Sequence, residues 1–303
     1  MKCFYFLLSL IVLGGLSSCD KNEVITPPDE ISKFSGTGDY SFTEYAPLAG
    51  KPVRVFYHIP ENTTPLTPVL MVFHGGGRDG EASRDALISK SNEGGFIVVA
   101  PQFSSENYPG GDFYNLGNIF VDGDNPSPST LNDEEEWTFS VVDPIFEGFK
   151  TISGNETETY DVFGHSAGAQ FAHRLLMFKP QAKINRVVEA AAGWFTMPDN
   201  SVDFPYGTSL SPVQDSDLAY FFSAQMTVMV GALDTDPNSF DLRHNEQADA
   251  QGLNRYSRAT YFFTQSQNLA EQATLTFNWN FTSLPNVGHE YAPSAIAAAN
   301  ILY

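Results

Sequence analysis

Positive charge is scarce in this chain of 303 residues: 16 lysines and arginines stand against 36 aspartates and glutamates, a formal charge of −20. A protein that binds nucleic acid neutralises phosphates with clustered Lys and Arg, so we expect no nucleic acid as a partner. The same shortage argues against adhesion to anionic lipid through a basic surface. It also disfavours the easy approach of highly anionic substrates.

Cysteine is almost absent too, and both cysteines, Cys3 and Cys19, lie near the start of the sequence. The apolar run 4–16 follows Lys2 and is too short to cross a hydrocarbon layer of ~30 Å, but it suits the core of a signal peptide. It ends in Leu-Ser-Ser-Cys at 16–19, which resembles the lipobox of bacterial lipoproteins. That resemblance implies cleavage before Cys19 and a lipid on its sulfur. The alternative is an ordinary signal peptide that contains a cysteine.

The lipobox resemblance divides the chain into three parts. Residues 1–18 are predicted to be the lipoprotein signal peptide, 19–39 a flexible polar tether, and 40–303 the globular domain. The membrane is then a partner through the lipid anchor, in the cell envelope, with the outer membrane or cell surface favoured over the inner membrane. With Cys19 lipidated, no cysteine remains for a disulfide, for catalysis or for a metal.

After the tether, strand-like and helix-like segments alternate. A leading hairpin and repeated βα units predict the α/β class, with a mostly parallel central sheet and helices on both faces. The long connections 101–133 and 193–225 are of the kind that shapes a site. The predicted strands are 40–46, 53–59, 69–73, 96–100, 159–163, 186–191, 226–230 and 276–281, and the predicted helices are 81–92, 134–150, a helix ending near 178, 255–272 and 291–302.

Residues 164–168, Gly-His-Ser-Ala-Gly, fit the pattern G-x-S-x-G. The pentapeptide alone is a weak signal, but here it follows a predicted strand and opens a helix, as a nucleophile elbow requires. Ser166 is therefore the candidate nucleophile. The backbone N–H of Ala167, at the start of the helix, can stabilise an oxyanion. The alternative is a serine that only caps the helix.

A second glycine-rich motif, His74-Gly75-Gly76-Gly77, follows the strand 69–73. It resembles the HGGG-type oxyanion loop of lipases and esterases, which supplies a backbone N–H facing the serine. A glycine-rich turn can also cradle phosphate, but the chain has no G-x-x-x-x-G-K-[ST] motif. We expect His74 itself to have a structural role.

An acid and a base must follow the serine in that order. Asp234 comes just after the strand 226–230 and is the favoured acid, with Asp236 in reserve. His289, after the last strand, is the favoured base, whereas His244 lies in a polar segment and is expected at the surface. This chemistry needs no metal and no organic cofactor.

The order of these motifs over residues 50–303 resembles the α/β-hydrolase fold. It is most similar to the secreted esterase branch of polyhydroxyalkanoate depolymerases, feruloyl esterases and polyester hydrolases. The resemblance implies that Trp194 flanks the substrate cleft, with a buried core position as the alternative. Polyester hydrolases often hold the histidine loop with a disulfide, which this mature chain does not have, so a specific polymer is not implied.

The leading hypothesis is thus a serine hydrolase that cleaves carboxylic esters through an acyl-enzyme. Its substrate partner is an ester, with esters on polymers or glycans as candidates. The alternatives are a serine peptidase on the same fold, since one triad serves esters and amides, and a catalytically inactive binding lipoprotein. The sequence leaves the acyl and alcohol parts and the oligomeric state open.

Overall fold

The computed structural model describes residues 34–303, whose strands form one eight-stranded sheet in the order β1-β2-β4-β3-β5-β6-β7-β8. The strands are β1 (Gly36–Phe42), β2 (Val53–Ile59), β3 (Val69–Phe73), β4 (Ile97–Gln102), β5 (Tyr160–His165), β6 (Ile184–Ala190), β7 (Gln225–Gly231) and β8 (Asn280–Leu284). The pairs β1–β2 and β2–β4 are antiparallel, and the other neighbours are parallel. The predicted mostly parallel sheet is confirmed.

Helices cover both faces of this sheet, which confirms the predicted α/β class. The helices are α1 (Gly80–Asp85), α2 (Ile88–Gly94), α3 (Gly110–Phe113), α4 (Val142–Ser153), α5 (Ala167–Phe178), α6 (Asp215–Ser223), α7 (Glu246–Gln251), α8 (Arg255–Gln272) and α9 (Tyr291–Leu302), with 3₁₀ turns at Ala46–Leu48, Glu134–Glu136 and Thr138–Val141. One face is covered by α1, α2 and α9, and the other by α4, α5, α6 and α8. In residues 34–303 no helix has the length and apolar character needed to cross a bilayer.

The predicted signal peptide 1–18, the lipid attachment at Cys19 and most of the predicted tether lie outside the described residues. The lipid anchor and the envelope localisation therefore stay predictions. The end of the tether falls inside the described part, and there the structure differs from the prediction. Residues 36–39 begin β1 and pair with β2, so they belong to the sheet.

The central strands are buried on both faces, which explains their unbroken apolar runs. In β3 every side chain is at most 1% exposed, with Leu70 and Val72 facing the α9 side and Met71 and Phe73 the α5 side. The carboxyl ends of the parallel strands lie at one edge of the sheet. Four segments follow strands at that edge: the glycine loop 75–77, Ser166, the turn with Asp234 and the loop with His289. One site can therefore include residues from all four.

One acidic side chain, Glu189 of β6, lies inside the core. It is fully buried between Gly164 of β5 and Val228 of β7, and neither carboxyl oxygen has a hydrogen-bond partner among the described residues. Burial raises the pKa of Glu189 well above its usual value, because the charged form would be desolvated. The neutral acid is therefore the form that the fold accommodates.

We expect the carboxyl of Glu189 to make the free energy of unfolding decrease as the pH rises. The unfolded chain ionises Glu189 near pH 4.3, whereas the raised pKa keeps the folded form protonated. Below that pH, the ionisation of Glu189 does not change the free energy of unfolding. Above it, ionisation in the unfolded chain lowers the free energy of unfolding by up to about 1.4 kcal/mol per pH unit. The variant Glu189→Gln cannot ionise. The difference between its free energy of unfolding and that of wild type should therefore shift in favour of the variant as the pH rises from 5 to 8. Urea unfolding across that range measures the difference. The exposed control Glu106→Gln should show a constant offset, and a constant offset for Glu189→Gln would contradict the expectation.

Candidate active site

Ser166 lies in a sharp turn between β5 and α5. Its backbone has φ 57° and ψ −116°, a strained conformation for a residue with a side chain, and its N–H donates to the carbonyl of Ala190 at 2.8 Å. The two flanking glycines make this turn possible. A Cβ on Gly168 would overlap the carbonyl of Phe73, and a Cβ on Gly164 would overlap the carbonyl of Gly168. The turn therefore has the geometry of a nucleophile elbow.

His289 stands between Ser166 and Asp234. Its Nε2 lies 3.1 Å from the serine Oγ, and its Nδ1 lies 2.7 Å from Asp234 Oδ2. Asp234 is 5% exposed, whereas His289 is only partly buried. In a neutral imidazole, Nδ1–H donates to the carboxylate and Nε2 accepts from the serine hydroxyl. The structure thus brings together the three residues proposed from the sequence.

The loops that carry Asp234 and His289 are joined by their backbones. The N–H of Ala232 donates to Leu284 at 2.9 Å, and the N–H of Leu233 donates to Val287 at 2.8 Å. At Gly231 a Cβ would overlap the carbonyl of Gly288, so the approach requires glycine. Hydrogen bonds and close backbone packing therefore hold the histidine loop against the acid turn.

The two reserve residues lie elsewhere. Asp236 is exposed and accepts from the N–H of Asn238 at 2.8 Å. The ring of His244 is bonded to Asp249 and to the Pro237 carbonyl, both at 2.8 Å. Neither Asp236 nor His244 forms a hydrogen bond with Ser166 or His289.

Arg255, at the start of α8, faces the acid from the other side. Its Nη1 lies 3.7 Å from Asp234 Oδ1, the oxygen that His289 does not use, and donates to Ser239 Oγ at 2.8 Å. Burial lowers the pKa of Arg255, and Asp234 and Asp241 partly offset that effect. The guanidinium compensates the buried carboxylate. No motif in the sequence indicated this contact.

The glycine loop lies beside Ser166, since a Cβ built on Gly75 would stand 3.7 Å from Ser166 Cβ. Within the described chain, the backbone N–H groups of Gly75, Gly76 and Gly77 donate to no protein acceptor. The N–H of Ala167 opens α5 next to the serine. These are donors of the kind that an oxyanion hole needs.

His74 supports the glycine loop from within the core. The N–H of Phe103 donates to its Nε2 at 3.0 Å, so its Nδ1 carries the proton and donates to Gly75 at 3.0 Å. Burial lowers the pKa of His74 to about 4, which keeps the ring neutral. The hydroxyl of Tyr114 donates to the His74 carbonyl at 2.6 Å. All of its contacts are structural.

A second buried imidazole, His165, lies against His289. The ring centroids of His165 and His289 are 4.8 Å apart. Burial, with the charges of His289 and Arg255, lowers the pKa of His165 to about 3, so the ring of His165 is neutral. The only sequence signal for it was its place directly before Ser166.

A cavity of about 620 Å³ opens over Ser166, within the range usual for ligand sites. Of the two long connections, 101–133 contributes to its wall, whereas 193–225 contributes only Gly193. Besides Ser166 and His289, the wall is formed by Gly75, Gly76, Gly77, Arg78, Asp79, Ala82, Ser83, Gly110, Gly111, Asn115, His165, Ala167, Gln170, Gly193, Phe240, Asp241, Arg255 and Tyr291.

Trp194 does not line this cavity, which corrects the expectation from the family resemblance. The side chain is 5% exposed and lies in the core. The guanidinium carbons of Arg174 and Arg243 lie 4.2 Å and 4.9 Å from its ring, and Tyr206 packs at 4.8 Å. The two cations and the aromatic neighbour cover the indole and separate it from the cavity above Ser166.

Comparison with solved structures identifies similar proteins. Poly(aspartic acid) hydrolase-1 from Sphingomonas sp. KT-1 is 33% identical, with a TM-score of 0.83 over 88% of this chain and 98% of that one. A poly(3-hydroxybutyrate) depolymerase from Bordetella parapertussis is 29% identical, with a TM-score of 0.83 over 89% and 90%. An S-formylglutathione hydrolase from Agrobacterium tumefaciens shares only the fold, at 13% identity and a TM-score of 0.53 over 88% and 92%. No family model and no curated protein sequence matches the chain.

Proposed function

The chain belongs to the α/β-hydrolase family of poly(aspartic acid) hydrolase-1 and is a hydrolase, and on this premise we propose that it cleaves carboxylic esters through an acyl-enzyme. One observation carries the proposal: hydrogen bonds connect Asp234, His289 and Ser166 in a line that ends in the cavity. Such a line turns a serine hydroxyl into a nucleophile.

In the first half of the proposed reaction, Ser166 Oγ attacks the ester carbonyl and His289 Nε2 takes its proton. Asp234 holds the imidazole in the correct tautomer and stabilises its charged form. The developing oxyanion accepts from the N–H of Ala167 and from the glycine loop 75–77. The loss of one such donor typically costs about 3 kcal/mol in the transition state. His289 then protonates the departing alcohol.

In the second half, a water molecule replaces the alcohol. His289 takes the proton of this water as the oxygen attacks the acyl carbon, and the same N–H groups hold the second oxyanion. Ser166 leaves with the proton from His289, and the carboxylic acid is released. The open cavity admits this water without a large movement of the chain.

A second candidate function is amide hydrolysis, favoured by the similarity to a hydrolase of poly(aspartic acid), a polymer linked by amides. The chemistry of an acyl-enzyme is the same for both bonds. However, poly(aspartic acid) carries a carboxylate on each unit, and the formal charge of −20 works against the approach of a polyanion. Ester hydrolysis is therefore favoured over amide hydrolysis.

The proposal is tested by labelling the full-length protein with a fluorophosphonate and mapping the adduct by mass spectrometry. We expect one adduct, on Ser166, because only an activated serine reacts at a useful rate. The initial rates on p-nitrophenyl acetate, aminoacyl amides and poly(aspartic acid) then rank esters against amides.

Folded protein that takes no label would contradict an activated nucleophile and would favour the binding-lipoprotein alternative. Labelling of Ser166 with turnover of amides alone would replace the ester proposal by the amide candidate. A fully denatured sample is the control, since the hydrogen-bonded line then no longer exists.

A further inference from the structure

Phe240 is the most exposed large apolar side chain in the described part of the chain. Its side chain is 89% exposed, and it borders the cavity above Ser166. Single exposed apolar residues are common on proteins. This one is distinguished by its place at the mouth of the catalytic cavity.

The chain holds Phe240 in that exposed position. It lies in a four-residue turn closed by the N–H of Leu242, which donates to Ser239 at 3.1 Å. Asp241 takes a left-handed φ of 66°, as the third residue of a type II turn does. Both ends are fixed, because Leu242 is buried and Ser239 accepts from Arg255 at 2.8 Å. Arg255 also faces Asp234, so the turn is connected to the proposed catalytic acid.

The rest of the cavity wall offers little apolar surface. Tyr291 is the only other lining residue with a benzene-type ring, and its hydroxyl donates to the Ser83 carbonyl at 3.1 Å. The other lining residues are glycine, alanine or polar. An apolar group that reaches the mouth of the cavity therefore has Phe240 as its main partner.

We propose that Phe240 is a specificity residue whose ring binds an apolar part of the substrate, an alkyl chain or a phenyl group, at the mouth of the cavity. This inference rests on the proposed ester hydrolysis. The substrate class is an ester with a small group next to the carbonyl and an apolar extension beyond it. Removing that extension and the ring from water together favours binding.

The test compares wild type with Phe240→Ala on methyl acetate, methyl hexanoate and hexyl acetate, with the released acid followed by titration. We expect Phe240→Ala to raise KM about 10-fold for one of the two long esters while kcat stays the same. The result for methyl acetate should stay within 2-fold. A change with methyl hexanoate assigns the apolar part to the acid, and a change with hexyl acetate assigns it to the alcohol. Phe240→Trp should restore the low KM.

The matched control is Leu66→Ala, since Leu66 is 69% exposed and does not border this cavity. An equal KM for the long esters in wild type and Phe240→Ala would overturn the inference, as would the same loss on all three esters. Measurement of the oligomeric state of both proteins separates the rival role for Phe240, a contact between two copies, which would dissociate in the variant. Hydrolysis of methyl acetate by wild type tests the proposed function separately, because this ester has no extension for Phe240 to bind.

Discussion

The variant Ser166→Ala should lose hydrolysis of p-nitrophenyl acetate almost completely, with kcat reduced by about 10⁵- to 10⁶-fold. The removal of a triad serine leaves only what the oxyanion donors and substrate binding can supply. His289 then has no hydroxyl 3.1 Å away to deprotonate. Stopped-time assays with concentrated protein measure the residual rate, and the fluorophosphonate label should disappear as well.

Ser89→Ala is the matched control, because Ser89 is exposed and does not border the cavity. It should keep the wild-type rate and the wild-type label. The thermal midpoint of Ser166→Ala should stay close to that of wild type, since alanine meets the same backbone strain at φ 57°. A Ser166→Ala protein that keeps even a tenth of the activity would rule out Ser166 as the nucleophile.

The second large effect is expected for Asp234→Asn, a loss of about 10⁴-fold in kcat near neutral pH. An amide can donate its own N–H to His289 Nδ1, which favours the imidazole tautomer with its proton on Nε2. That tautomer cannot accept the proton of Ser166. The variant also leaves the buried guanidinium of Arg255 without its carboxylate 3.7 Å away, so a loss of stability should accompany the loss of rate. Steady-state kinetics and thermal unfolding measure the two effects.

Asp236→Asn is the control that separates the two acids of this turn. Asp236 is exposed and has no bond to His289, so the variant should retain kcat within 2-fold. The opposite result, an active Asp234→Asn and an inactive Asp236→Asn, would mean that the acid has been assigned to the wrong residue.

The sequence predicted most reliably what depends on neighbours along the chain. The strand 69–73 and the helices 255–272 and 291–302 match the structure residue for residue. Each has a strong local signal, an unbroken apolar run or a long periodic segment. The carboxyl ends of parallel strands meet at one sheet edge, and so the order of the motifs predicted that 166, 234 and 289 would lie together.

Where distant contacts decide the local structure, the sequence was misleading. The segment 134–150 has helical periodicity, but its first turns are 3₁₀ and the backbone of Trp137 is extended. The indole of Trp137 is buried, and its N–H donates to the carbonyl of Asn132 at 3.1 Å, just before the 3₁₀ turns. The last strand begins at Asn280 instead of at 276, because its pairing with β7 begins at Asn280.

Only part of the candidate site could be predicted from the sequence. Ser166, Asp234 and His289 stand in recognisable motifs, whereas Arg255 and Phe240 have none. Their roles depend on which loops the fold places side by side. Trp194 was misplaced for the same reason, because Arg174 and Arg243 approach its ring from distant parts of the chain.

The position of β8 has a consequence for heat resistance. It is a short edge strand held by β7 alone, and the loop with His289 follows it directly. Ser166, in contrast, follows a central strand with neighbours on both sides. Strands at an edge separate at a lower free-energy cost than strands in the middle of a sheet. His289, the proposed proton acceptor, thus follows the least supported strand of the parallel part. On warming, the protein should lose its activity while most of its fold is still intact.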